Sequence, residues 1–149
     1  VGSLMVGPER WTTATNWEGI LDKPYSHHAM THAIGAHLNQ LLKLDNFHVA
    51  AFTRLLERMD KIEEANGTSL LDNTIFTLGA GMGDGTTHQY NDLPIVVAGG
   101  QSTGLKQGRH VHCAPETPLA NLWLTHLHAL GINAKRYADS TGKISELQG

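Results

Sequence analysis

Between Leu38 and Ile62, apolar side chains recur every three or four residues. Leu41, Leu44, His48, Phe52, Leu55, Met59 and Ile62 share one face of a helix, and Arg54, Glu57, Arg58, Lys61 and Glu64 fall mainly elsewhere. Asn66 and Gly67 follow as a C-terminal stop. Ser26 can cap a helical segment that begins near His27. A second helix is predicted after Thr117 as N-cap and Pro118 as first helical residue. Its inner stripe is Leu119, Leu122, Trp123, His126, Leu127 and Leu130, and Gly131 ends it.

Two short apolar runs read as buried strands. One spans residues 74–78 and leads straight into glycines. The other spans residues 93–98, with Pro94 at its start and Gly99 and Gly100 at its end. Strands alternating with helices predict an α/β fold, a mostly parallel sheet flanked by helices. Ligands of such sheets bind at loops after the strand C-terminal ends, where the glycine-rich loop 79–88 falls. The segment 1–25 has no clear period, is broken by Pro8, Gly19 and Pro24, and reads as irregular, with Trp11 and Trp17 as its large anchors. Residues 26–149 read as one α/β domain with a polar surface tail from Ala134.

Composition supports a packed body: 40% of the 149 residues are hydrophobic and 17% charged, which argues against disorder. A net charge of -3 lacks the basic footprint of a nucleic-acid binder. Cys113 is the only cysteine, so neither an internal disulfide nor a multi-thiolate zinc site can form, and it reads as structural. No apolar run has the length of a membrane span, and no run reads as a signal peptide. The chain begins at Val1 without a methionine, so an upstream segment is expected.

The chain carries 10 histidines, a side chain suited to metal ligation and to proton transfer near neutral pH. Three groups merit chemistry. In the first, His27 and His28 are adjacent and point apart on a helix, whereas His28 and His32 are four apart and share a face that can chelate a transition metal. The other reading of that group is a surface cluster. The second is the loop from Gly79 to His88, in which Asp84 and His88 offer a carboxylate and an imidazole; Asp84 could equally cap a turn. The third comprises Arg109, His110 and His112. If the backbone is extended, the two histidines share a face, and Arg109 could clamp an anion; an exposed polar strand explains the same residues. His126 lies on the inner stripe of the last helix and reads as a satisfied core-edge residue. A nucleophile elbow and a phosphate-binding P-loop are both missing.

The run Lys23, Pro24, Tyr25, Ser26, His27, His28 resembles the motif of the HXXSHH family, bacterial and mostly secreted proteins of unknown function. The likeness continues through Phe47-His48, residues 70–74, the loop to His88, residues 91–94, Gly108 to His110, residues 117–122 and residues 139–142. It covers nearly the whole chain from about Glu9. Lys23 stands where the motif has its first histidine, which puts any metal role of that position in doubt. Family members are longer, so the resemblance implies a C-terminal portion of a secreted or periplasmic protein.

More distantly, the order of residues 71–78, His110 and residues 118–132 resembles the C-terminal portion of the alkaline phosphatase and sulfatase superfamily. That superfamily's Asp-His-Gly after the strand is replaced by Gly79, Ala80 and Gly81, with Asp84 and His88 as substitutes. Its nucleophile would lie upstream, so an N-terminal half of the same protein is an expected partner.

These readings combine into an expectation of a metal-dependent hydrolase-like domain acting on phosphate or sulfate esters. His27, His28, Asp84, His88 and His110 would ligate a divalent ion (zinc, manganese, iron or calcium), with His32 and His112 as secondary ligands and Arg109 holding a small anionic substrate. The alternatives are a non-catalytic secreted scaffold or partner-binding module, and a structural metal site.

Overall fold

The computed structural model describes residues 1–7, 11–17 and 19–148. Pro8, read above as a break, and Glu9, where the family likeness begins, lie outside the described residues, as does Gly149 at the end of the tail. The elements run β1 (Ala14–Thr15), β2 (Tyr25–Ser26), α1 (His27–His32), α2 (Ile34–Asp60), β3 (Ile75–Gly79), β4 (Ile95–Gly99) and α3 (Ala120–Ala129). The chain divides into two compact units. Val1–Arg54 with Gly79–Pro94 forms the first, and Leu55–Leu78 with Ile95–Gly149 the second.

The expected mostly parallel, helix-flanked, alkaline-phosphatase-like sheet does not form. Among the described residues the strands make two separate two-stranded sheets, β1 with β2 and β3 with β4. The first is antiparallel, with Ala14 opposite Ser26 and Thr15 opposite Tyr25. In the second, the end of β4 returns to the start of β3: Gly99 packs against the Thr74 carbonyl, and the Gly100 amide donates to the Leu71 carbonyl. That is antiparallel pairing. A parallel pair needs a crossover, usually helical. The connection 80–94 contains turns and no helix, so the chain comes back antiparallel. An apolar run reads the same in either strand direction, which is why periodicity did not reveal this. No helix among the described residues is long and apolar enough to cross a membrane.

In the first unit, Trp17, Leu21, Met30, Leu41 and Leu44 form the buried core, with Trp11, Ile20 and Tyr25 packed against it. The N-terminal segment is thus built into the unit. Its Trp11 carbonyl accepts the His28 amide, and Trp11 and Trp17 lie with ring centroids 4.3 Å apart. The long helix forms as its period predicts, and Leu41, Leu44 and Met59 are buried on it. Leu55 and Ile62, expected on the same face, remain 43% and 49% exposed. The helix ends at Asp60, before the expected stop. Asn66 and Gly67 instead turn the chain between Glu63 and Ser69, which pair as an isolated bridge. Asn66 accepts from the Thr68 amide and hydroxyl there, and Gly67 takes the left-handed conformation that glycine tolerates.

In the second unit, the run before β3 is a hydrogen-bonding hub. Ser69 and Asp72 bond reciprocally through side chain and amide, and the Asn73 amide donates to Glu64, Thr68 and Ser69. The motif residues Asp72 and Asn73 are therefore engaged in holding the chain entering β3. Thr117 does not cap α3, because its hydroxyl donates back to the Ala114 carbonyl. The C-terminal end follows the expected scheme. The Ile132 amide reaches the Leu127 carbonyl and the Gly131 amide the His128 carbonyl, with Gly131 at φ +80°, a Schellman stop.

The buried face of α3 is more polar than its apolar stripe suggests. Asn121 and Thr125 are buried there with Ala120, Leu122, Leu124 and His126, while Leu119 and Leu130 are exposed. The tail explains this. Asn121 Oδ1 accepts the amides of Thr141 and Gly142, its Nδ2 donates to the Thr141 hydroxyl, and Thr125 Oγ1 accepts the Ile144 amide. The tail lies largely at the surface, yet it is fastened to the helix, and Ser140 is buried within it.

Two predictions follow from this unit. Replacing the buried Asn121 by Ala removes the acceptor of the part-buried Thr141 and Gly142 amides and should lower unfolding stability by about 1–3 kcal/mol, read by urea titration. The second concerns His126. Burial against Trp123 pushes its pKa below the ordinary histidine value, and Nε2 has no hydrogen-bond partner among the described residues. An unfolded imidazole takes up a proton as pH falls through about 6.5, and the folded one does so only at lower pH. The unfolded chain therefore binds more protons in that window, so stability is retained above it and declines as pH falls through it. His126→Phe should shrink the stability lost between about pH 7 and about pH 5 relative to the unaltered chain. An identical loss in both would contradict the assignment.

Candidate metal centre

Helix α1 begins where Ser26 leaves the extended conformation and its hydroxyl accepts the Ala29 amide at 3.2 Å. Within this six-residue helix, His28 and His32 lie on one side and Met30 on the other, since two residues span about 200° of helix. Met30 is 1% exposed and belongs to the core. Its burial turns both imidazoles outward, with ring centroids 4.6 Å apart.

The third imidazole comes from the glycine-rich loop of the same unit. Asp84 and Gln89 pair as an antiparallel bridge, closing a turn made of Gly85, Thr86, Thr87 and His88. His88 closes it at φ +57°, a left-handed position that histidine tolerates better than most residues. Gly83 packs so tightly on the Asn91 carbonyl that a side chain there would collide with it. The turn carries the His88 ring to His28 and His32, at centroid separations of 5.9 and 4.9 Å. His88 Nε2 stands 3.2 Å from His32 Nε2. Each of the three residues offers one ring nitrogen, and these nitrogens all lie within 4.8 Å of one another. Two facing ring nitrogens at 3.2 Å require either a proton between them or a shared cation.

The remaining expected ligands are placed differently. His27 is half-buried with its ring edge-on to Trp17 at 6.2 Å. Burial, more than its charged neighbours, lowers its pKa, while Asp45 opposes and His48 and His28 reinforce that shift. Asp84 turns its carboxylate into its own loop: Oδ1 accepts the Thr86 amide at 2.7 Å and Oδ2 the Thr87 hydroxyl at 2.7 Å. These bonds, the Thr87 hydroxyl foremost, hold its carboxyl below the usual carboxylate range. It is the turn-capping reading of Asp84 that its hydrogen bonds describe. Arg109, His110 and His112 belong to the second unit, all on irregular backbone, and Arg109 Nη1 donates to the Glu146 carbonyl. Cys113 is exposed. Lys23, at the first motif position, sets its ammonium 5.4 Å from the Tyr25 ring centroid. His32, ranked second from sequence, completes the group; its four-residue spacing from His28 was the signal.

A comparison with protein-family models finds no match for this chain, and searches of the curated proteins and of the solved structures find none.

The outward aim of His28 and His32 depends on Met30. Met30→Ala should cost about 2–5 kcal/mol of unfolding stability, as truncating a fully buried side chain does. Met30→Leu, of similar volume, should cost less than about 1.5 kcal/mol. Equal losses in the two variants would show that the core does not hold α1 through this side chain.

Proposed function

We propose that the chain binds one divalent transition-metal ion through His28, His32 and His88 and serves as a metal-dependent hydrolase-like domain, with phosphate or sulfate esters as its substrate class. The observation that carries this reading is the meeting of three imidazole nitrogens within 4.8 Å on side chains that reach solvent. Two nitrogens on a tetrahedral zinc ion are about 3.3 Å apart for bonds of about 2.0–2.1 Å. The His32–His88 pair, at 3.2 Å, already has that spacing. Imidazole donors favour zinc, iron, copper or nickel over the calcium and manganese that oxygen donors suit. Three protein ligands leave a coordination position open, and an ion so held lowers the pKa of water and polarises an ester oxygen.

In this proposal the chain is a member of the HXXSHH family, secreted or periplasmic, and the histidine used from its motif is His28. Groups that bind and orient the ester are supplied by further sequence of the same protein. A second reading, metal binding without turnover, draws on Asp84: the turn donates to both its oxygens and holds its carboxyl below the usual range, which makes it a weaker base.

The test is zinc titration by calorimetry with elemental analysis, on the unaltered chain and on His32→Ala/His88→Ala. About one zinc per chain, lost in the double variant, is the expected result. Aryl phosphate and aryl sulfate turnover that disappears with the zinc would support the hydrolase; bound zinc without turnover would favour the second reading. An unaltered chain that takes up no zinc would overturn both.

A further inference from the structure

We propose that Thr86 is the positioning residue of the three-imidazole site, fastening the turn that carries His88 to the helix that carries His28 and His32. This rests on reading those imidazoles as one site. The Thr86 hydroxyl donates to the Thr31 carbonyl at 2.8 Å, bridging residues 55 apart in sequence. Thr31 lies in the last turn of α1, where carbonyls lack the amide four residues ahead that a continuing helix supplies. The helix is interrupted at Ala33, whose backbone leaves the helical region at φ -126°, ψ 44°. The interruption thus opens an acceptor one residue before His32, and the loop uses it.

Three further features serve the same contact. The Thr31 hydroxyl donates to the His28 carbonyl at 2.8 Å, which fixes the side chain that Gly85 packs against. Gly85 lies so close to Thr31 that an added Cβ would stand 3.0 Å from the threonine Cβ. Asp84 then aims Thr86 by accepting its amide at 2.7 Å. The result is a turn fixed at its base by Asp84, pressed onto α1 at Gly85 and bonded to it at Thr86, with His88 delivered two residues later. Supporting groups of this kind commonly alter metal affinity by about 10–100-fold without touching the ion.

The experiment uses the full chain with Thr86→Val, Thr86→Ser and Gly85→Ala. It first measures, without metal, ring-to-ring nuclear Overhauser contacts between His32 and His88, alongside the melting temperature. The expected result is a contact present in the unaltered chain and in Thr86→Ser, and lost in Thr86→Val and Gly85→Ala at little change in melting temperature. A contact that persists in Thr86→Val overturns the proposal. Zinc titration follows, with binding expected to weaken by about tenfold or more in Thr86→Val and to recover in Thr86→Ser. Zinc affinity unchanged in Thr86→Val also overturns it. If the unaltered chain binds no zinc, the metal reading fails, while loss of the ring contact in Thr86→Val still establishes the positioning role.

Discussion

Burial of Met30 is the interaction on which the first unit's arrangement turns. Met30 and Leu44 are the two largest side chains in that core with essentially no exposure, and they tie α1 to α2. A helix of six residues has almost no stability of its own, because nucleation costs more than so few hydrogen bonds return. It persists here because one side chain is packed, Ser26 caps its start and the Trp11 carbonyl takes the His28 amide. The same packing decides where the imidazoles point. With Met30 inward, the i, i+4 histidines are obliged to face outward.

Trp17 extends this core toward the histidines that are not in the cluster. It is 9% exposed, lies edge-on to both His27 and His48, and adopts a left-handed backbone conformation that L residues rarely take. The HH pair is thereby divided. His27 serves packing against an indole, and His28 faces the glycine-rich loop. Adjacent positions on a helix are about 100° apart, so one residue of such a pair enters the core's edge when the other meets solvent.

The loop solves a different problem, that of bringing a residue far along the chain to a short helix. It does so with turn chemistry and little apolar burial. Asp84, the carboxylate expected to be a ligand, supplies rigidity, and Gly83 and Gly85 supply close approach. The second unit shows the same economy at its own polar sites, where Asn121 and Thr125 hold the tail and Asn73 ties the entry to β3. Among the described residues, the buried Asn121, Thr125 and Ser140 each accept a backbone amide that no helix or sheet satisfies.

Much of the local structure was legible. The period of α2, the Ser26 cap, the Gly131 stop and the two apolar strands each follow from interactions within a few residues, which sequence spacing records directly. The His28–His32 spacing likewise announced a shared face. What spacing does not record is direction or distance between remote segments. Strand direction depended on whether residues 80–94 formed a crossover helix, and they formed turns. Whether Asp84 would point at a metal or at its own turn depended on which donors lay nearer, and the neighbouring Thr86 and Thr87 were nearest. The choice of His88 over His27 and His110 as the third imidazole was made by tertiary structure alone, because the chain meets itself there only after the core has set the orientation of α1 and the Thr31 carbonyl has captured the loop.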